Sequence, residues 1–129
     1  MISVFPNKLK KGDKIMVVAP SDSLANISDL VHQKALEKFA ELGLEVTYAK
    51  NVREMDELDS SSITSRVADI HEAFSNPDIR GIFTAFGGYN SNQLLPYLDW
   101  DIIKNNPKVL IGFSDTTALS NAIYAKTGL

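Results

Sequence analysis

A serine between a buried strand and a helix is the residue of this sequence best placed to do chemistry. The segment VLIGFSDTTAL, residues 109–119, runs through Gly112 into Ser114 and then into a helical pattern. A sharp strand-to-helix turn would lift the Ser114 hydroxyl clear of the sheet and direct the helix N-terminus towards it. The backbone N–H of Asp115 would then face the oxyanion that forms when Ser114 attacks a carbonyl carbon.

The same spacing has a purely structural interpretation, in which Ser114 is only the N-cap of the helix. Thr116 stands where the nucleophile elbow G-x-S-x-G has its second glycine. The turn alone therefore indicates a candidate nucleophile and leaves the cap open as an alternative.

Gly87 and Gly88 follow another apolar run and are a second candidate element of a site. Glycines in this position let the backbone approach a ligand and expose N–H groups that can bind an oxyanion. A tight turn without a ligand is the alternative. Asn90 and Ser91 can hydrogen-bond a substrate or cap the next helix. The loop matches neither the dinucleotide-binding nor the P-loop glycine pattern.

No side chain stands out as the general base that a serine nucleophile needs. His32 and His71 lie in helical patterns, and nothing in the sequence orients either towards Ser114. Two histidines without any cysteine are too few for a metal site, so we expect no metal and no other cofactor. Asp22 and Asp115, at strand ends, serve equally well as helix caps.

Apolar runs and helical spacings predict four strands that alternate with helices. The predicted strands cover residues 14–20, 45–49, 79–86 and 108–113. The predicted helices cover residues 29–42, 62–76, 91–98, 100–105 and 114–128. On the first helix, the side chains expected to face the core are Val31, Ala35, Phe39 and Leu42.

This alternation, without a hairpin signal, predicts an α/β fold: a doubly wound, mostly parallel, flavodoxin-like sheet with flanking helices. Ligands bind such sheets outside the carboxyl ends of the strands. Three polar or glycine-containing loops follow strands, at residues 20–23, 87–91 and 112–115. We expect all three on one edge, with Ser21 joining Asn90 and Ser91 as a candidate substrate-binding residue.

Composition narrows the functional classes. The 129 residues are 44% hydrophobic, enough for the core of one domain, and carry a net charge of −3. An acidic chain argues against a nucleic-acid partner, which would require a clustered basic surface. No apolar run suits a membrane span or a secretory signal, and the lack of cysteine fits a reducing cytoplasm, so we expect a cytoplasmic protein.

Three segments together resemble the LD-carboxypeptidase family of serine peptidases: APSDS, FGGYNSNQLLPYLDWDII and GFSDTTALSNAIYAKTGL. The resemblance extends from the first strand to Leu129. It implies that Ser114 is the nucleophile and that backbone amides of Gly88 and Asp115 form the oxyanion hole. It also implies hydrolysis of an amide next to a C-terminal residue through an acyl-enzyme, and a homodimer.

Family members act on two kinds of substrate, namely murein tetrapeptide during peptidoglycan recycling and, in microcin C immunity proteins, an aminoacyl-nucleotide. Muramoyl-type members tend to carry arginine before the Gly-Gly pair and a glycine-rich run after the tyrosine. This chain has Phe86 before the pair and Asn90-Ser91-Asn92 after Tyr89. The pattern is more similar to the immunity branch.

The resemblance further implies a second domain, after residue 129, that supplies the Glu and His of a catalytic triad. Residues 1–129 are then the N-terminal nucleophile domain of a two-domain enzyme, and we expect them to be inactive alone. Two other interpretations remain: a non-catalytic module that binds a small anion at its helix N-termini, and a dimerisation domain.

Overall fold

The computed structural model describes residues 2–129 and has a sheet in which all neighbouring strands are parallel. The strands are β1 (Lys14–Val18), β2 (Glu45–Tyr48), β3 (Ile79–Thr84) and β4 (Val109–Ile111), in the order β2-β1-β3-β4. This is the flavodoxin-like order in which the chain first moves to one side of β1 and then to the other. The predicted fold class is confirmed.

Four α-helices connect or follow the strands. They are α1 (Asp29–Glu41), α2 (Ile63–Ser75), α3 (Trp100–Asn105) and α4 (Thr117–Thr127). Ser28 and Ser62 cap α1 and α2 by accepting hydrogen bonds from the N–H groups of Val31 and Ser65. Gly128, at φ +82°, ends α4 in the left-handed conformation that glycine tolerates. None of the helices between residues 2 and 129 has the length and apolar character of a membrane span.

The strands and one helix differ from the sequence prediction at their ends. β1, β3 and β4 are each shorter than predicted, so that more of the chain after each strand is loop. Residues Ser91–Tyr97 form a 3₁₀ helix rather than an α-helix, and Pro96 inside it has no N–H to donate. A second 3₁₀ turn, Ser114–Thr116, precedes α4.

The helices divide between the two faces of the sheet as right-handed crossovers require. The helix α3 contacts both α2 and α4, while α1 contacts the edge strand β2. The core lies mainly between the sheet and the helices α2, α3 and α4. Its fully buried members include Phe74 from α2, Ile82 from β3 and Ile123 from α4.

The expected core face of α1 is partly wrong. Val31 and Leu42 are 51% and 52% exposed, and the helix contains no buried residue. It faces the sheet with the half-buried side chains of His32, Ala35 and Phe39. Because the strand beneath it is at the edge of the sheet, the two flanks of the helix extend into solvent.

We predict that Phe74→Ala will lower the free energy of unfolding by about 3–5 kcal/mol, because it leaves a cavity where a side chain only 1% exposed now packs. Leu30→Ala, at a position 63% exposed on α1, is the control and should change it by about 0.5 kcal/mol or less. Urea titration measures both. Equal effects would contradict this description of the core.

Candidate active site at the carboxyl ends of the strands

The backbone of Ser114 has φ +60°, a left-handed conformation that is strained for a residue with a side chain. Such a residue costs about 1–3 kcal/mol and persists only where surrounding contacts hold it. Ser114 begins the 3₁₀ turn that leads into α4, and it is exposed. The N-cap position belongs to Phe113, so the alternative in which Ser114 is merely the cap of this turn is wrong.

The Gly-Gly loop closes over this serine. A Cβ atom added at Gly87 would lie 2.9 Å from the Ser114 Oγ and 3.6 Å from the Asp115 N. A Cβ at Gly88, where φ is +146°, would overlap the Asp22 carboxylate and lie 2.5 Å from the Ser21 Oγ. The loops 20–23, 87–91 and 112–116 are therefore in contact on one edge of the sheet, and we call them the strand-end site.

The Asp115 carboxylate joins the three loops of the strand-end site. Its Oδ2 accepts hydrogen bonds from the Ser21 hydroxyl at 2.6 Å and from the Ser91 backbone N–H at 2.9 Å. The Ser91 hydroxyl donates to the Asp115 backbone carbonyl at 2.8 Å. Both serines are completely buried. Three bonds thus fix the residue that directly follows Ser114.

These bonds decide the charge of Asp115. Burial raises the pKa of its carboxyl, but hydrogen bonds from Ser21, Ser91 and Asn90 outweigh burial and hold the pKa below its ordinary value of 3.8. Asp115 is therefore ionised at neutral pH. At the neighbouring Asp22, burial and the charges of Asp59 and Asp115 raise the pKa.

Two backbone N–H groups of the strand-end site are the candidates for binding an oxyanion. Asp115 lies in the first turn of a helical segment, where N–H groups have no intrahelical acceptor. Among residues 2–129, no hydrogen bond engages the N–H of Gly88. Free amides beside a nucleophilic hydroxyl can stabilise an oxyanion during acyl transfer, and the assignment of Gly88 and Asp115 to that role stays a prediction.

The candidate binding residues have other hydrogen bonds in this structure. The hydroxyls of Ser21 and Ser91 are both bonded to Asp115. The side-chain amide of Asn90 donates to the Leu58 carbonyl at 3.2 Å and to the Ser60 hydroxyl at 3.1 Å. These contacts position loops, and the assignment of the three residues to substrate binding stays a prediction.

Arg66 is a component of the site that the sequence analysis missed. It lies on α2 with only 3% of its surface exposed, and its guanidinium reaches the loops after β1 and β3. Burial lowers its pKa, while the nearby charges of Asp56 and Asp115 oppose this shift. The sequence did contain one signal of its burial: Arg66 directly precedes Val67, which belongs to the apolar stripe of this helix.

The histidines lie elsewhere. The Nε2 atom of His71 accepts a hydrogen bond from the Asp99 backbone N–H at 2.8 Å, and His32 is paired with the Tyr48 hydroxyl. Neither bonds to a residue of the strand-end site. Within residues 2–129, no three His, Asp or Glu side chains come together in a way that could hold a metal ion.

The site thus combines a parallel α/β sheet, an exposed serine on a strained strand-to-helix turn and a glycine loop that lies against this serine. The chain belongs to the LD-carboxypeptidase family, since the model of the "LD-carboxypeptidase N-terminal domain" matches residues 15–129.

Individual relatives agree with this membership. The chain is 51% identical to "Putative carboxypeptidase YocD" of Bacillus subtilis (strain 168) over 126 residues, which are 98% of this chain and 39% of that protein. It superposes on a MccF-like protein from Bacillus anthracis str. Ames with a TM-score of 0.95 and 54% identity, covering 96% of this chain and 38% of the other.

The microcin C7 self-immunity protein MccF, solved in complex with aspartyl sulfamoyl adenosine, superposes with a TM-score of 0.91 and 38% identity, covering 98% of this chain and 38% of that one. The chain thus spans less than two fifths of the length of each of these three relatives.

We predict that Gly88→Ala will destabilise the chain more than Gly12→Ala does. Both glycines have positive φ, +90° at Gly12 and +146° at Gly88, so alanine is strained at either position and more strained at Gly88. Only at Gly88 does the added methyl group meet Ser21 and Asp22, whereas nothing lies within 4 Å at Gly12. The difference in thermal midpoint reports the close approach together with the greater backbone strain at Gly88, and equal midpoints would contradict both.

We predict that Asp115→Asn will lower the free energy of unfolding at neutral pH, because charge-assisted bonds to Ser21 and Ser91 become neutral ones. The pKa of Asp115 is depressed in the folded state, so its contribution is complete above the ordinary value of 3.8 and is lost as pH falls below it. The difference in the free energy of unfolding between parent and variant should therefore become smaller as the pH falls below 3.8.

Asp29→Asn is the control for this experiment, because Asp29 is an exposed carboxylate in the first turn of α1. Its effect should be small at every pH. If the difference in the free energy of unfolding between the parent and Asp115→Asn did not change between pH 7 and pH 2, the ionised carboxylate would not contribute to stability.

Proposed function

We propose that this chain is the nucleophile-bearing part of a serine hydrolase that cleaves an amide at the C-terminus of a peptide through an acyl-enzyme. Ser114 is the nucleophile, and the backbone amides of Gly88 and Asp115 bind the oxyanion. The observation that carries the proposal is the left-handed backbone of Ser114, which holds an exposed hydroxyl beneath the Gly87 backbone. Strain of this kind is found where function requires it.

In the proposed reaction, the Ser114 Oγ bonds to the carbonyl carbon of the substrate while a base takes the hydroxyl proton. The carbonyl oxygen becomes an oxyanion between the two amides. The C–N bond then breaks, the leaving nitrogen receives the proton, and the acyl group remains on Ser114 as an ester. Water attacks this ester in the second half, which releases the acid and returns a proton to Ser114.

The general base and its carboxylate partner come, in this proposal, from a region of a longer protein beyond residue 129. The hydrogen bonds of His71 and His32 lead to Asp99 and Tyr48, away from Ser114. The relatives are more than twice as long as the matched segment, which leaves room for a second domain. An unactivated serine hydroxyl is a poor nucleophile, so the chain alone is expected to be inactive.

For the substrate, we propose an aminoacyl or peptidyl group linked to a nucleotide in preference to a murein tetrapeptide. The relative MccF binds aspartyl sulfamoyl adenosine. The residues Phe86 and Asn90-Ser91-Asn92 around the Gly-Gly pair follow the pattern of the immunity branch. A role in peptidoglycan recycling, a cytoplasmic location and a homodimer stay predictions.

We predict that Ser114→Ala, in the longer protein that carries this chain, will lower kcat by about 10⁴- to 10⁶-fold for the substrate that the parent hydrolyses. Binding should be largely preserved, because the backbone amides and the rest of the protein hold the substrate. Release of aspartate from aspartyl sulfamoyl adenosine and of D-alanine from murein tetrapeptide measures the rates. Calorimetric titration of the variant measures binding.

Ser120→Ala is the matched control on the adjoining helix, since its hydroxyl bonds only to the Thr116 carbonyl. It should leave kcat within a few-fold of the parent. If Ser114→Ala turned over normally, the proposed nucleophile would be wrong: the nucleophile would lie elsewhere in the longer protein, and residues 1–129 would have a binding or dimerisation role instead.

A further inference from the structure

Arg66 makes hydrogen bonds that converge from one side chain on separate loops. Its Nη1 donates to the Pro20 carbonyl and to the Asn90 carbonyl, both at 3.0 Å. Its Nε donates to the Ser61 carbonyl at 2.8 Å, and its Nη2 to the Gln93 Oε1 at 2.7 Å. Four of the five N–H donors of the planar guanidinium are therefore used within the protein, and the group spans the loops after β1 and β3.

The Nη1 bonds end one residue away from the two serines that hold Asp115. The Asn90–Ser91 peptide group accepts from Arg66 at its carbonyl and donates from its N–H to the Asp115 carboxylate. On the other side, the Pro20 carbonyl precedes Ser21, whose hydroxyl donates to the same carboxylate oxygen. The guanidinium is thus connected with Asp115, the residue that follows Ser114, in two ways. Each connection has a hydrogen bond at both ends and a short stretch of chain between them.

Stability alone is a weak explanation for this residue. Among residues 2–129 the ion pairs are Lys14–Glu45 and Lys38–Glu41, so no carboxylate forms a salt bridge with the Arg66 guanidinium. A buried charge loses its hydration, and apolar residues of similar volume often serve a core equally well. A rigid fork of donors does fix the relative geometry of several acceptors, which an apolar side chain cannot do.

We infer that Arg66 is a positioning residue of the strand-end site: its guanidinium sets the spacing between the Pro20 and Asn90 carbonyls and thereby places Asp115, Gly88 and the Ser114 turn for catalysis. The inference rests on the proposed function for its catalytic consequence. Misplacement of reacting groups by about 1 Å can cost on the order of 100-fold in rate. The loss falls on kcat more than on KM, because oxyanion contacts strengthen in the transition state.

The test uses Arg66→Met in the longer protein, which keeps an unbranched stem and removes all the donors. We expect kcat for the hydrolysed substrate, aspartyl sulfamoyl adenosine or murein tetrapeptide, to fall about 100-fold while KM changes less than about 5-fold. Ile70→Ala is the control, since Ile70 is 2% exposed on the same helix and its apolar side chain has no hydrogen-bond donor to hold the loops, so its truncation lowers stability and removes no such bond. Its kcat should stay within about 3-fold of the parent, well below the effect of misplacement.

Amide hydrogen exchange supplies a second readout that needs no activity. Peptides covering residues 20–23 and 87–93 should exchange about 10-fold faster or more in Arg66→Met than in Ile70→Ala, because the bonds to Asp115 open more often. This measurement separates the two proposals. If the parent hydrolyses neither substrate, the proposed function fails, while the exchange rates still decide whether Arg66 orders these loops.

Arg66→Lys keeps the positive charge, on a single nitrogen, and replaces Arg66→Met in both measurements if Arg66→Met does not fold. We expect a kcat between those of the parent and of a donor-free variant, with faster exchange in the same two segments. Parental kcat and exchange rates in Arg66→Lys would overturn the inference, as would Arg66→Met values equal to those of Ile70→Ala.

Discussion

A serine with a left-handed backbone lies at the centre of the strand-end site, and the surrounding loops hold it in that conformation. Released from its neighbours, Ser114 would recover about 1–3 kcal/mol by relaxing. It does not relax, because Asp115 is bonded to Ser21 and Ser91 on two other loops. Gly87 has no side chain and so can lie against the hydroxyl. The exposure of this hydroxyl is therefore a property of three loops together, not of the turn alone.

The parallel sheet brings those loops together. In the order β2-β1-β3-β4, the chain leaves β1 towards one side and β3 towards the other, so the loops after these adjacent strands diverge and leave a crevice at their carboxyl ends. Arg66 spans this crevice, since one nitrogen bonds to the Pro20 and Asn90 carbonyls. The loop after β4 completes the site through Asp115. A longer β3 or β4 would have used these backbone groups in the ladder instead.

Much of this could be predicted from the sequence, and the failures have physical causes. The starts of α1 and α2, predicted at residues 29 and 62, and the alternation of strands and helices are local signals, and the structure agrees with them to within a residue. The exposure of Val31 and Leu42 depends on how α1 lies over an edge strand, and the periodicity of apolar residues gives no information on that placement. Arg66 was missed because its partners are mainly backbone carbonyls, which no residue type reveals. Residue types likewise cannot show which serines face a ligand and which donate hydrogen bonds to a carboxylate.

The strand-end site also has to solve an electrostatic problem in the proposed reaction. Negative charge must develop near the amide of Asp115, while the carboxylate of the same residue is ionised. A bare carboxylate there would oppose the oxyanion. Donors from Ser21 and Ser91 occupy its Oδ2, and the positive charge of Arg66 interacts with it from within the protein. The Arg66 guanidinium therefore has two effects: it orders the loops, and its positive charge offsets the negative charge of the Asp115 carboxylate that joins them. A neutral side chain with the same donors would only order the loops.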